Sequence, residues 1–238
     1  MSSFVLKIIA IITMFIDHIG YAIFGKFSFF NYIGRIAFPI FAFQISEGYT
    51  HTKNLKKYFL RLFIFAIISQ IPFMLFSKII SSDLTLNIFF TLLLGLISIY
   101  IYDKSKYKIV GIISAILIGL LANFAHFDYG FYGISIIFLF YVFKTDIIKS
   151  SIAFAIATTI KYLIPIIKYG FYDVYLYLLI ATLIPIIFIS LYNGKKGKDT
   201  KYLLYLFYPT HLLLIYGIYL IKWFKIIIRA FLLPYLNL

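Results

Sequence analysis

The sequence predicts an all-α fold, a polytopic integral membrane helical bundle of about nine to ten transmembrane helices with a cytoplasmic N-terminus. Three observations predict it. The chain is 63% hydrophobic and 13% charged over 238 residues, too apolar to cover a water-facing surface. Its apolar runs are continuous, whereas a membrane β-barrel would alternate. Lysine and arginine gather in every second interval between runs, the pattern that sets orientation in a bilayer.

The first run, 4–24, carries polar residues and lacks an A-x-A cleavage site, so it reads as a retained span rather than a removed leader. The next spans read as 33–49, 58–77, 87–102, 108–124, 130–143, 148–166, 173–192 and 202–221. A short tenth segment near 224–237 either spans or lies on the surface with Lys225 and Arg229 snorkelling. Pro72, Pro165 and Pro185 fall inside runs and predict kinks or breaks. With no strong internal repeat and no linker, residues 1–238 read as a single transmembrane domain.

The charged intervals order these spans. Lys53, Lys56, Lys57 and Arg61 fall in one, Lys104, Lys106 and Lys108 in the next but one. Lys144 and Lys149 follow, then Lys195, Lys196, Lys198 and Lys201. The opposite intervals hold scattered charge, Lys26, Lys78 and Lys168. The rich side is the cytoplasm, which puts the N-terminus on the cytoplasmic side. The net charge of +14 therefore reads as topology signal and contact with membrane lipid phosphates, not as a nucleic-acid surface. The chain has no cysteine, which excludes disulfides and thiolate metal sites, and no metal is expected.

Polar residues inside the spans fall at one depth. At 1.5 Å per helical residue, His18 lies about 20 Å above the cytoplasmic end of its span, Arg35 about 21 Å, Gln70 about 20 Å, Asn87 about 22 Å and His211 about 14 Å. Each is costly in lipid, so the set should face the bundle interior and one another. Arg35 is expected to pair with Asp17, and His18 or His211 to bond Gln70 or Asn87. A desolvated histidine favours the neutral ring, which accepts a proton. Singly, each of these residues reads as a structural hydrogen-bonder or packing ion pair; spread over several spans, they read as a functional cavity.

Two further patterns lie nearer the cytoplasm. Lys7 and His18 are separated by ten residues, three helical turns, and share nearly one face. The stretch "EGYTHTKNLKKYFLRL", Glu47–Leu62, gathers Glu47, His51, Lys53, Lys57 and Arg61. Positive-inside charge accounts for that cluster by itself; a site for a phosphorylated cytosolic cosubstrate is the functional reading.

The stretches "LKIIAIITMFIDHIG", "IGRIAFPIFAFQISEGYTHTKNLKKYFLRL", "SQIPF", "LNIFFTLLLG" and "YLFYPTHLLLIY", in this order, resemble the TraX family, named for the conjugative pilin acetylase. That family is grouped with the transmembrane acyltransferases, including the acyltransferase-3 group, in which a basic residue, ten residues and a histidine open the first span. Lys7 and His18 match that pattern. The resemblance implies acetyl transfer from cytosolic acetyl-CoA to an amine or hydroxyl, on a peptide or surface glycan, reached from the extracytoplasmic side. It implies a catalytic role for His18, with Asp17 and Arg35 beside it. Lys7, Glu47, His51, Lys53, Lys57 and Arg61 are the candidate acyl-CoA contacts. Gln70, Asn87, Tyr208 and His211 complete the polar layer. A transporter or lipid-handling carrier is the rival reading, since a mid-membrane polar layer also suits a carrier. A scaffold held together by its polar residues is a third.

Overall fold

A computed structural model describes residues 1–80, 85–198 and 202–232, with side chains through residue 222. Its helices are α1 (Ser3–Phe24), α2 (Phe29–Gly34), α3 (Ala37–His51), α4 (Leu55–Ser77), α5 (Ile88–Lys104), α6 (Lys108–Phe124), α7 (Gly130–Val142), α8 (Ile147–Tyr169), α9 (Asp173–Leu183), α10 (Pro185–Ser190) and α11 (Leu203–Leu232). Five stretches are long and apolar enough to cross a membrane: α1, α4, α8, α9 with α10, and Leu203–Lys222 of α11. Their outward faces present side chains such as Ile12, Ile71, Ile164 and Leu214, a surface that suits acyl chains rather than water. The protein is an all-α integral membrane bundle.

Contacts between chain ends fix the sidedness. The N–H groups of Ser3 and Phe4 donate to the Lys195 and Lys196 carbonyls at 2.8 and 3.1 Å. At the same end, the Asp103 carboxylate of α5 accepts from Tyr49 of α3 at 2.9 Å and Tyr141 of α7 at 2.7 Å. This end carries the lysine-rich intervals and is cytoplasmic. At the other end, Leu86 and Phe127 form an isolated parallel bridge that ties the α4–α5 and α6–α7 connections together.

Local sequence explains the helix starts. Asn54 caps α4 through Lys57 N–H at 2.9 Å. Asp146 caps α8 through Ile148 and Lys149 N–H, both at 3.1 Å. Each cap satisfies donors that a helix start otherwise leaves unpaired.

The predicted span 33–49 is two helices, α2 and α3, broken at Arg35 and Ile36. Pro39 is the cause: it has no N–H for the Arg35 carbonyl, and its ring crowds that carbonyl. The span 173–192 is likewise divided, into α9 and α10, at Ile184 before Pro185. Pro72 and Pro165 sit inside continuous helices. The segments 202–221 and 224–237 are not separate: α11 runs unbroken to Leu232. The rest of the tenth segment, and the side chains of Lys225 and Arg229, lie outside the described residues.

Two features shape the extracytoplasmic half. α7 has 13 residues, about 20 Å at 1.5 Å per residue, well short of a ~30 Å hydrocarbon core. The connection before it bends through left-handed backbone at His126 (φ 53°) and Tyr129 (φ 63°), which non-glycine residues seldom adopt. Non-helical backbone at membrane depth persists only where protein buries it or a wet cavity adjoins it. Here the second applies, because Asp128 and Tyr129 line a cavity.

Candidate functional site

The cavity measures about 340 Å³ and draws its walls from α1, the α2–α3 break, α3, α4, the start of α5, α8, α11 and the connections that hold Thr85, Asp128 and Tyr129. His18, Asp17, Arg35 and Tyr208 line it. With them are Tyr21, Asp128, Tyr129 and Lys161, none of which stands out in the sequence reading.

Arg35 is held by its surroundings. Its Nη2 donates to Asp17 Oδ1 at 3.0 Å and its Nε to the Asn31 carbonyl at 3.1 Å. Asn31 Nδ2 donates to the same Asp17 oxygen at 3.0 Å. The expected Asp17–Arg35 pair is thus present, with Asn31 as a third member. Gly34 makes room for it, since a Cβ there would fall on the Asp17 carboxylate. The Nη1 nitrogen of Arg35 makes no hydrogen bond to the described residues and remains free to donate.

His18 does not bond Gln70 or Asn87, as the depth reasoning expected. Its Nδ1 lies 2.7 Å from Nε2 of His211. The two ring planes are 12° apart with centroids separated by 5.0 Å. That separation is what an in-plane, edge-to-edge hydrogen bond gives; face-to-face stacking would bring the centroids closer. His211 Nδ1 lies 2.7 Å from the Phe207 carbonyl, which can only accept. The chain of donors is then forced for two neutral rings. His211 carries its proton on Nδ1, so its Nε2 accepts from His18 Nδ1–H. The proton of His18 is therefore committed to Nδ1, and its Nε2 keeps a lone pair. That nitrogen takes no hydrogen bond from the described residues, and the ring lines the cavity.

Gln70 and Asn87 do something else. Gln70 Oε1 accepts from Asn87 N–H at 3.1 Å and from Asn87 Nδ2 at 2.8 Å. Asn87 Nδ2 also donates to the Ala66 carbonyl at 2.7 Å, and Asn87 Oδ1 caps α5 at Phe89 N–H, 3.0 Å away. This clasp joins α4 to α5 and satisfies a helix start inside the membrane. Neither residue lines the cavity.

The cytoplasmic candidates form no single pocket with His18. Lys7, Glu47, His51, Lys53, Lys57 and Arg61 are all absent from the cavity lining. Between the two levels, Ala10 of α1 and Leu62 and Ala66 of α4 are fully buried. Glu47 holds His51, whose Nδ1 lies 3.7 Å from Glu47 Oε2. Burial, and then the Glu47 carboxylate, push the Tyr192 phenol up from its ordinary range. Lys53 and Lys57 are exposed. Arg61 stacks beside Tyr58, with 5.6 Å from its guanidinium carbon to the ring centroid, and its Nε is buried without a hydrogen-bond partner. An orphaned guanidinium N–H beside exposed lysines fits a phosphate by donor chemistry.

Lys161 is the residue that the sequence reading missed. It sits 14 residues above the start of α8, about 21 Å into the membrane and level with His18. A lysine inside an apolar run is itself a pointer to function. It is also four residues before Pro165, just as Arg35 is four before Pro39, so both cations lie where a helix has lost a backbone bond. Asp128 carries no comparable sequence signal, because it falls in a connection.

These features define a class, an integral membrane helical bundle with a histidine relay at the floor of a mid-membrane cavity. The family model for TraX, described as TraX protein, matches residues 2–219, and the chain belongs to the TraX family. A Dichelobacter nodosus protein named "Probable fimbrial assembly protein FimC, serogroup H1" is 30% identical over 232 aligned residues, covering 90% of this chain and 94% of that protein. The "Uncharacterized protein RP591" of Rickettsia prowazekii (strain Madrid E) is 36% identical over 100 residues, 42% of this chain and 37% of that protein. Bacterial relatives agree with a bacterial inner-membrane setting. No solved structure matches.

Proposed function

We propose that this protein is a membrane-embedded acyltransferase that moves an acetyl group from cytosolic acetyl-CoA to an amine or hydroxyl entering from the extracytoplasmic side. The observation that carries the reading is the hydrogen-bonded series Phe207 carbonyl, His211, His18, which leaves an unprotonated nitrogen in the cavity. Acetyl-CoA, when bound, supplies the activated acyl group. His18 Nε2 takes the proton from the acceptor as its nitrogen or oxygen bonds the acetyl carbon, and gives it to the CoA sulfur as the carbon–sulfur bond breaks. The intervening imidazolium keeps its Nδ1–H bond to His211, which spreads the new charge. Arg35 Nη1 donates to the oxygen on which negative charge develops, while Asp17 and Asn31 keep its guanidinium in place. The buried layer of Ala10, Leu62 and Ala66 separates this chemistry from the cytoplasmic cations, so the reading requires those helices to part when donor binds.

Family membership and the fimbrial assembly name of the D. nodosus relative together support a pilus or fimbrial subunit as the acceptor. The test uses protein in nanodiscs with acetyl-CoA labelled on the acetyl group. Wild type releases CoA and labels an added acceptor, while a folded His18→Ala variant loses about 10²- to 10⁴-fold, the usual contribution of a general base. Undiminished transfer by that variant overturns the reading. The buried layer below the cavity favours a second reading, a carrier caught open to one side. It predicts substrate flux in proteoliposomes without CoA.

A further inference from the structure

We propose that Lys161 and the tyrosine faces around it form an anion-binding subsite that takes a carboxylate or phosphate group of the acceptor. The inference rests on the reading that this cavity receives the acceptor.

The Lys161 ammonium lies 4.2 Å from the ring centroid of Tyr132, 5.1 Å from Tyr129 and 5.2 Å from Tyr162. The rings are fixed with their faces, not their hydroxyls, toward it. Tyr132 and Tyr162 spend their hydroxyls on Thr158 at 3.0 Å and Thr182 at 2.9 Å. Tyr129 stacks on Phe38 with centroids 3.7 Å apart and holds left-handed backbone at φ 63°. A bulky residue in that region is a strained placement, and such strain concentrates where a site needs it.

Tyrosine faces steady an ammonium but do not neutralise it. A charge at membrane depth ordinarily acquires a counter-ion. Asp17 is committed to Arg35, and Asp128, which lines the same cavity, acts on Lys161 through space without a contact ion pair. The cavity therefore holds an ammonium that is caged, positioned and, among the described residues, without a contact ion pair. The recessed α7 and the non-helical connection at 125–129 put Asp128 and Tyr129 in the extracytoplasmic half of the cavity, the side from which the proposed function brings its acceptor, and the anion arrives with that molecule. An acceptor seated this way places one anionic group on Lys161 and its reacting amine or hydroxyl toward His18.

The test is calorimetric binding to the full-length protein in nanodiscs, without CoA. The probes are glycyl-glutamate, its uncharged counterpart glycyl-glutamine, glycerol 1-phosphate and glycerol. Wild type is expected to bind at least one charged probe tenfold or more tightly than its neutral counterpart. Preference for glycyl-glutamate marks a peptide carboxylate as the source, and preference for glycerol 1-phosphate marks a phosphate. Lys161→Met abolishes the preference and Lys161→Arg restores it. Should Lys161→Met not fold, Asp128→Asn removes the competing negative charge and tightens binding of the anionic probe several-fold. Equal binding of charged and neutral probes, retained preference in Lys161→Met, or unchanged or weaker anion binding in Asp128→Asn overturns the proposal. Lys161-dependent anion binding in a protein that never releases CoA would leave the subsite standing and remove the acyltransferase reading alone.

Discussion

His18 and His211 stand 193 residues apart in the chain, yet 2.7 Å separates the nitrogens that join them. The bond sets which nitrogen of His18 carries its proton, and so which one can act as a base.

Replacing His211 should disturb His18 without touching the acceptor. His211→Ala leaves His18 Nδ1–H without an acceptor, which costs about 1–3 kcal/mol for an unsatisfied buried group, and lets the ring change tautomer. His211→Gln retains a carbonyl oxygen that can accept. The expected outcome is a fall in turnover for alanine, partial rescue by glutamine, and a nitrogen-15 signal showing Nε2 of His18 newly protonated in the alanine variant. An unchanged tautomer with an unchanged pH profile would reduce His211 to a packing residue.

The Asp17–Arg35 pair predicts unequal costs. Asp17→Ala leaves a buried guanidinium uncompensated and should destabilise by about 3–5 kcal/mol. Gly34→Ala drives a methyl group into the same carboxylate and should cost about 1–3 kcal/mol through overpacking. Unfolding in mixed micelles checks both. Additive losses in the double variant would argue against the shared contact.

Gln70 and Asn87 should behave as structural residues. Asn87→Ala removes the α5 cap and the donors to Ala66 and Gln70, with an expected loss of about 1–3 kcal/mol. Activity per folded molecule should stay within twofold. A large catalytic loss in a protein of normal stability would return Asn87 to the list of reacting groups.

The absence of cysteine in the sequence makes single-thiol labelling direct. Ser77→Cys, at the cavity wall, should react in intact cells with a membrane-impermeant reagent added outside. Ser105→Cys, beside the lysine-rich α5–α6 connection, should react only after permeabilisation. The reverse pattern would invert the orientation.

Much of this arrangement is legible in the sequence because lipid makes strict demands. The sidedness follows from lysine alone, and the Asp17–Arg35 pair follows from two opposite charges at one depth. Depth does not give azimuth, however. Counting residues put His211 about 6 Å below His18 at 1.5 Å per residue, but α1 and α11 begin at different heights and the rings meet. Which polar groups face one another depends on helix rotation, and that is set by packing rather than composition. Pro39 at the broken second span shows the same limit: its effect is local and physical, yet the apolar run continues through it. Lys161 is readable as a charge within a span, but of its tyrosine surroundings only Tyr162 is its neighbour in sequence, while Tyr129 and Tyr132 come from the start of α7.

The distance along the chain between the two histidines also bears on how the molecule is made. Asp17 finds Arg35 only 18 residues later, so the first charge to enter the bilayer is neutralised when the second pass follows it. His18 has no such early companion. It waits for α11, just as Ser3 and Phe4 wait for Lys195 and Lys196. A chain stalled on the ribosome before α11 can seat most of its spans and still own no reactive centre. Synthesis of the protein is therefore nearly over before the histidine pair can form, and under the proposed function newborn chains are inert toward their acceptor.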